Sequence, residues 1–215
     1  IVAPNTIGYE AAWKSENSEY SPARAKALLD LYGYVDRDGD GWRDLPDGRP
    51  LVLQLGTQPD QFSRDLDTLW KKSMDAIGIR MQLNQQTFAE LRNLSRAGKL
   101  PMFNLGYRAL DPSGYQILST LWSRSPPDTN RSRFRLPEYD AAYESFLRTA
   151  PGPERNALAK RMSELVQNYA PMSLQVYSVN NAFLHPWVRG YWPSPFGFAW
   201  KYLDVDPAKR AASLK

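Results

Sequence analysis

The chain has 215 residues, 42% of them hydrophobic, so it can bury a substantial core and form one large domain or two small ones. Its 27 Lys and Arg residues slightly outnumber its 23 Asp and Glu residues and are interspersed with them, a pattern that does not favour nucleic-acid binding. It has no cysteine and a single histidine, His185, which excludes thiol catalysis, disulfides and zinc sites built from Cys and His.

The sequence predicts neither a membrane span nor a secretion signal. No apolar run approaches the roughly 20 residues needed to cross a bilayer. The N-terminal residues IVAPNTIGYE lack the charged and apolar regions of a signal peptide. We therefore expect a mature or excised chain.

Predicted helices and strands alternate along the first half of the chain. Ser21 is a plausible N-cap, Pro22 suits the first helical position and Gly33 follows the last turn, which predicts a short helix. The compact apolar stretch LVLQLGT at 51–57 predicts a strand. Apolar residues then recur at helical spacing across 62–77, which predicts a second helix.

The same alternation continues beyond residue 78. Apolar and polar residues alternate over 79–84, as in a half-exposed strand, and Thr87 can cap the helix that follows. Residues 102–107, MFNLGY, predict another strand. This order predicts an α/β fold with a mixed sheet and flanking crossover helices.

The second half of the chain begins with two helical stripes, at 139–147 and 158–169, which we interpret as core faces. Residues 172–184, MSLQVYSVNNAFL, predict one or two strands. The aromatic stretch at 185–200, HPWVRGYWPSPFGFAW, cannot form a regular helix, because Pro186, Pro193 and Pro195 each remove an amide donor. No linker divides the chain.

The twelve residues from Asp36 to Asp47, DRDGDGWRDLPD, resemble a calcium-binding loop. Such a loop needs oxygen ligands at its first, third, fifth, seventh and twelfth positions and a glycine at its sixth. The residues at these positions are Asp36, Asp38, Asp40, Gly41, Trp42 and Asp47, with Trp42 offering its carbonyl.

Three departures leave a metal-free turn as the alternative. Asp47 is shorter than the usual Glu, Arg43 replaces an apolar residue, and Pro46 and Pro50 lead into a strand where a helix should follow. Asp side chains and glycines also build turns without metal. Three arginines at suitable intervals could then neutralise the carboxylates: Arg37, Arg43 and Arg49.

The order of landmarks along nearly the whole chain resembles that of one protein family. These landmarks are YSPARAKALLDLYGYVDRDGDGWRDLPDGRPLVLQL, LWKKSMDAIGIRMQL, FNLGYRALDPSGY, NRSRFRLPEYDAAY, RNALAKRMSELVQNYAPMSLQVY and VRGYWPS. The chain resembles the C-terminal half of the extracellular solute-binding proteins of family 5, the peptide-binding components of bacterial ABC importers. The resemblance implies that residues 1–215 form a single C-terminal lobe of the two-lobed periplasmic binding protein type II-like fold, without its N-terminal lobe.

The resemblance also implies a ligand site after the strand FNLGY, where an aspartate of peptide-binding relatives pairs with the ligand's α-amino group. Asp111 is the acidic candidate in this chain, with a plain Asp-Pro turn as the alternative. The flanking residues could form the walls of a site for varied side chains or could belong to the core and rim: Tyr107, Arg108, Tyr115 and Trp122.

Arg131, Arg133 and Arg135 would share one face of an extended segment, where they could meet a carboxylate or phosphate or form a solvated loop edge. His185 lacks nearby partners in the sequence and is given no role.

The implied function is capture of a peptide or similar small solute between two lobes and delivery to an ABC permease in the inner membrane. This places the protein in the periplasm or outside the cell, with its N-terminal lobe and the permease as partners, no nucleic acid, and no required cofactor apart from possible calcium. An enzyme is not expected, because the chain has no phosphate loop, nucleophile elbow or histidine pair. The alternative is a calcium-stabilised interaction or carbohydrate-binding module.

Overall fold

A computed structural model gives the structure of the chain and describes residues 2, 4–15, 17, 19–177, 181–194, 196 and 199–213. The chain folds into two compact units. The sheet unit comprises Glu19–Gly106, and the helical unit comprises Ile1–Ser18 with Tyr107–Lys215. No feature of the sequence indicates this division, because the boundary falls inside the predicted strand MFNLGY without any change of composition.

The sheet unit contains three helices and a parallel sheet. Its elements are α1 Pro22–Leu31, β1 Val52–Thr57, α2 Gln61–Asp75, β2 Arg80–Gln85, α3 Phe88–Arg96 and β3 Met102–Phe103. The strand order is β2-β1-β3. β1 and β2 pair along their full length, from Val52 with Arg80 to Thr57 with Gln85. The α/β fold class predicted from the sequence is therefore confirmed.

Local hydrogen bonds explain where these helices begin. The Ser21 hydroxyl accepts a bond from the backbone N–H of Arg24, at the start of α1. An Asp60 carboxylate oxygen accepts one from the N–H of Ser63 at 2.9 Å, at the start of α2. At α3 the Thr87 hydroxyl and the Glu90 carboxylate form a reciprocal capping box. The predicted Ser21 and Thr87 caps are confirmed.

Close packing of α3 on the centre of the sheet depends on a glycine in β1. A Cβ atom at Gly56 would lie 2.8 Å from side-chain atoms of Leu91 and Leu100. Leu91 is fully buried at this contact. Any larger residue at position 56 would therefore push the helix away from the strand.

The helical unit is built around two long helices. Its elements are α4 Tyr115–Leu118, a 3₁₀ turn Ser119–Leu121, α5 Pro137–Arg148, α6 Pro153–Tyr169, β4 Val188–Arg189, a 3₁₀ turn Ala199–Tyr202, β5 Asp204–Val205 and α7 Pro207–Ser213. Its largest fully buried side chains are Tyr139, Phe146, Leu118, Leu121, Met162 and Leu165. Most residues of the two predicted helical stripes therefore form the core faces of α5 and α6, while Leu147 and Tyr169 at the ends of the stripes are exposed.

Two predictions about strands are wrong in the described residues. Only Met102–Phe103 of the predicted strand 102–107 is a strand. Residues 172–177 and 181–184 form no strand, and residues 178–180 of that prediction lie outside the described residues. Val176 is 85% exposed and Phe183 is 95% exposed. These apolar residues have strand character, but a strand needs a neighbour with which to pair, and none lies beside them in the described part of the chain.

Within the described residues, no helix has both the length and the apolar character required to cross a membrane.

Candidate ligand-binding and metal-binding sites

The acidic loop of the sheet unit is held in shape by its own carboxylates. Asp36 accepts backbone N–H bonds from Gly39 at 2.8 Å and from Gly41 at 2.9 Å, one on each carboxylate oxygen. Asp38 accepts the N–H of Asp40 at 3.1 Å, and Asp40 accepts the N–H of Trp42 at 2.8 Å. Gly39 and Gly41 take left-handed conformations that suit glycine, with φ of 78° and 88°.

Three of the predicted calcium ligands converge in this loop. One carboxylate oxygen each of Asp36, Asp38 and Asp40 lies within 4.8 Å of the others. Asp47 is not part of this group among the described residues, and its carboxylate pairs with Arg49 at 2.7 Å. A carboxylate oxygen can accept more than one bond. The arrangement therefore suits both a metal-free turn and a calcium ion, and calcium binding stays a prediction.

The cations around the loop are only partly those that the sequence indicated. Arg49 pairs with Asp47 and lowers the pKa of that carboxyl through their hydrogen bond. Arg43 turns away from the loop carboxylates, pairing with Asp30 at 2.6 Å and donating to the carbonyl of Ile77 at 2.7 Å. Arg80 of β2 pairs with Asp40 at 2.8 Å, a contact that sequence spacing could not reveal because the two residues are distant along the chain.

Trp42 of the loop contacts two cations through its ring. The Arg80 guanidinium lies 5.3 Å from the ring centroid, and the Lys71 ammonium lies 5.9 Å from it. These cation–π contacts attach the loop to β2 and α2 within the sheet unit. The Trp42 side chain therefore helps to hold the loop against β2 and α2. This role does not depend on whether the Trp42 carbonyl binds calcium.

The predicted ligand residues between positions 107 and 122 all lie in the helical unit. Asp111 builds a turn there: its carboxylate accepts the backbone N–H of Ser113 at 2.7 Å and also the Ser113 hydroxyl. The next residue, Pro112, accepts the N–H of Ile7 through its carbonyl at 2.8 Å. The turn predicted as the alternative at Asp111 is present, and pairing with a ligand amine stays a prediction.

Tyr115 and Trp122 are held by the core beneath them. The carbonyl of Tyr115 accepts a hydrogen bond from the hydroxyl of Tyr143 at 3.3 Å, and Tyr115 as a residue is 40% exposed. The Trp122 ring packs against the core, with its centroid 5.4 Å from that of Tyr143. Its indole Nε1 is buried without a hydrogen-bond partner among the described residues. These two aromatic residues thus combine a fixed backbone with a partly open surface.

Tyr107 and Arg108 begin the second segment of the helical unit, and both are exposed at the surface, Tyr107 to 46%. Local burial raises the pKa of the Tyr107 phenol, and the positive charge of Arg131 partly opposes that rise. Arg131 therefore lies close enough to Tyr107 to favour the charged phenolate form of its side chain. This neighbour was not among the ligand residues predicted from the sequence.

The three-arginine face predicted for 131–135 does not form. Arg133 has a left-handed backbone with φ of 54°, and the Asn130 side chain accepts the N–H of Phe134 at 3.1 Å, which closes a turn. Arg131 is largely buried and pairs with Asp128 at 2.9 Å, while Arg133 and Arg135 are exposed. A turn breaks the period of two that an extended strand would have given.

Comparison with known proteins places these features in a family context. The model of the bacterial extracellular solute-binding proteins, family 5 Middle, matches residues 1–128, which is more than half of the chain. Heme-binding protein A of Haemophilus influenzae is 28% identical over 190 residues, covering 87% of this chain and 33% of that protein. The chain thus spans about a third of the length of this curated relative.

Solved structures show the same fold. HbpA2 from Haemophilus parasuis matches with a TM-score of 0.74 and 22% identity, over 96% of this chain and 40% of that one. The oligopeptide-binding protein AppA from Bacillus subtilis, in complex with a nonapeptide, matches with a TM-score of 0.67 and 18% identity, over 79% and 34%. The resemblance found in the sequence is confirmed: this chain belongs to the bacterial extracellular solute-binding proteins, family 5.

Proposed function

We propose that this chain is part of the substrate-binding component of an ABC importer, which captures a peptide or similar small solute without making or breaking a bond. The observation that carries the proposal is the family match over residues 1–128. A permease in the inner membrane would receive the solute, and the protein would work in the periplasm or outside the cell. The proposal fits relatives that are binding proteins and not enzymes.

We further propose that residues 1–215 serve as the C-terminal lobe of a two-lobed protein. The chain spans about a third of the curated relative, which leaves room in that relative for a second lobe. A cleft between two lobes buries most of a ligand's surface, whereas one lobe supplies only part of the contacts. The isolated chain should therefore bind its solute weakly.

The ligand surface proposed on this lobe contains the predicted residues of the helical unit. Tyr107 and Tyr115 expose aromatic surface, and the core fixes Trp122 from below. Asp111 offers a carboxylate on a turn that two Ser113 bonds hold in place. Aromatic walls with a single charged anchor suit a ligand whose backbone is constant and whose side chains vary.

Native mass spectrometry of the protein isolated from its own cells without denaturation tests the proposed function. A co-purifying peptide or other small solute, released on unfolding, is the expected result. Turnover of the bound compound, or capture by the isolated 215-residue chain as tight as by the protein from cells, would contradict the proposal.

Asp111→Asn tests the amine anchor within the proposed site. Asn keeps an oxygen that can accept the Ser113 bonds but removes the negative charge. We expect peptide affinity to fall by about tenfold, because a charge-assisted bond to an ammonium group is lost. Asp204→Asn is the matched control, since Asp204 is exposed in the same unit and its carboxylate accepts the N–H of the neighbouring Val205. Equal affinities of the two variants would exclude the anchor.

Haem is a second candidate ligand, favoured by the likeness to Heme-binding protein A of Haemophilus influenzae. Titration with haemin, followed by the Soret absorbance, separates the two ligand classes. A saturable Soret shift that peptides do not displace would favour haem over peptide, and absence of a shift would leave peptide as the proposal.

A further inference from the structure

Among the described residues, the strand β2 has an edge that pairs with no other strand. It is the first strand in the order β2-β1-β3, so in the described sheet it pairs with β1 on one side only. Thr57 is opposite Gln85, and the N–H of Gln86 donates to the carbonyl of Thr57 at 3.0 Å. In a parallel ladder, successive residues direct their N–H and C=O groups to opposite sides. The backbone N–H and C=O groups of the even-numbered residues of β2 therefore bond to β1. The backbone groups of the odd-numbered residues face the open edge of the sheet: Met81, Leu83 and Gln85.

A shallow groove of about 500 Å³ lies between this strand and helix α2. Its lining residues are Arg64, Asp67, Thr68, Lys71, Lys72 and Asp75 from α2 with Leu83 and Gln85 from β2. The β2 wall of the groove thus consists of two residues whose backbone groups face outward. Leu83 adds apolar surface, being 37% exposed.

The side chains that line the groove carry a small excess of positive charge. Asp67 is buried and accepts the hydroxyl of Thr57 at 2.8 Å. Asp75 is paired with Lys71 at 3.0 Å. Three cationic side chains, Arg64, Lys71 and Lys72, stand against these two carboxylates along the α2 wall. An acidic occupant therefore complements the groove better than a basic one.

The edge also lacks three of the features by which proteins prevent strand addition. Edge strands are commonly protected by proline, by a bulge, or by a short length. β2 has the sequence RMQLNQ, without proline, and its register with β1 is continuous over six residue pairs. Its outward N–H and C=O groups can accept another strand.

We propose that the unpaired edge of β2 and the basic wall of α2 form a docking groove for an extended, acidic segment of a partner protein. The segment adds to the sheet as a fourth strand beside β2. Backbone hydrogen bonds to Met81, Leu83 and Gln85 supply affinity, and acidic side chains meet the α2 cations. This surface belongs to the sheet unit, and it is separate from the ligand residues proposed in the helical unit.

Amide hydrogen exchange with probe peptides tests the groove. The probes are two acetylated and amidated peptides, roughly eight residues long to match a typical strand, of alternating Thr and Glu or of alternating Thr and Lys. The Glu peptide should slow exchange at Met81, Leu83 and Gln85, while Gln82 and Asn84 are already protected by β1. Unchanged exchange at the odd positions, or equal protection by the Lys peptide, overturns the proposal.

Two pairs of variants distinguish the charge and backbone contributions. Lys72→Glu should weaken binding of the Glu peptide by about threefold to fivefold, and Lys99→Glu, which makes the same charge change outside the groove lining, should not. Leu83→Pro removes one outward N–H without removing a ladder bond and should abolish the protection, whereas Leu83→Ala keeps that N–H and should retain it. If both charge variants bind alike, the basic wall has no role and the proposal fails.

A second copy of the chain is the rival occupant of the edge. Sedimentation of the chain alone would then show a dimer, with Met81, Leu83 and Gln85 protected without any peptide. That result overturns the proposal of an acidic partner, and a monomer with exposed odd-numbered amides supports it.

Discussion

The helical unit and the sheet unit bury their apolar side chains to different extents. In the helical unit, α5 and α6 enclose Tyr139, Phe146 and Met162, none of which is exposed to solvent. In the sheet unit, Phe62 on α2 is 71% exposed and Leu31 on α1 is 74% exposed. Only Leu91 is fully buried among the large side chains described in the sheet unit.

This difference follows from the elements that each unit contains. Two long helices with apolar stripes can bury those stripes against each other, which gives the helical unit a continuous core. A sheet of three short parallel strands has little area with which to cover three helices. The sheet unit therefore has more surface available for interactions, and its stability depends more on turns, caps and single polar contacts.

The largest expected effect comes from the core of the helical unit. Phe146→Ala should lower the free energy of unfolding by about 3–5 kcal/mol, because it removes a fully buried ring and leaves a cavity. Phe62→Ala is the matched change in the sheet unit and should alter stability by about 0.5 kcal/mol or less. Urea unfolding followed by hydrogen exchange in each unit measures both. Similar losses for the two variants would contradict the contrast between the units.

A single buried polar contact should matter next. Thr57→Val removes the hydroxyl that donates to Asp67, whose other carboxylate oxygen has no partner among the described residues. We expect a loss of about 1–3 kcal/mol, localised in the sheet unit, because a buried carboxylate is left without a donor. Thr68→Val is the control, since the Thr68 hydroxyl donates only to its own helix, at the carbonyl of Arg64. Equal effects would show that the Asp67 contact is dispensable.

Acid should loosen the caps of the sheet-unit helices. The Ser63 N–H lowers the pKa of Asp60, and the Thr87 hydroxyl lowers the pKa of Glu90. Since both folded-state pKa values are depressed, these groups stabilise the fold above their unfolded pKa values. That contribution is lost as pH falls through the lower folded values.

Hydrogen exchange of α2 and α3 between about pH 5 and pH 2 measures this acid effect. Asp60→Asn keeps a capping oxygen without a titrating charge, so α2 in that variant should lose part of its acid sensitivity while α3 retains its own. The same acid dependence of α2 in the variant and the parent would show that Asp60 titration is not responsible.

The smallest expected effect concerns calcium at the acidic loop. The sequence layout predicts that calcium raises the melting midpoint of the sheet unit by binding the native state, and that chelator reverses the rise. Asp38→Ala should remove this response, because it takes away one of the three convergent carboxylate ligands, whereas Asn would still offer an oxygen. A midpoint unaffected by calcium would identify the loop as a metal-free turn.

Several features could be predicted because they depend on neighbours within a few residues. Ser21 and Thr87 were identifiable as caps, since a cap bonds an N–H only two or three positions away. The turn at Asp111 was recognisable for the same reason. The helical stripes of α5 and α6 followed from their apolar period.

Other features could not be predicted because they depend on residues distant along the chain. Arg80 reaches Asp40 only after β2 forms, and Arg131 becomes buried only when a turn closes around Asn130. The apolar residues of 172–184 have strand composition but no strand beside them in the described residues, so they remain irregular at 172–177 and 181–184.

The sequence by itself determined the family, the helix starts and the acidic loop, because each depends on local chemistry or on an ordered set of short motifs. Only the tertiary structure decided the division into two units, the lengths of the strands, and which charged residues form ion pairs. Those outcomes depend on pairing between segments far apart in the chain, and no local pattern encodes the partner.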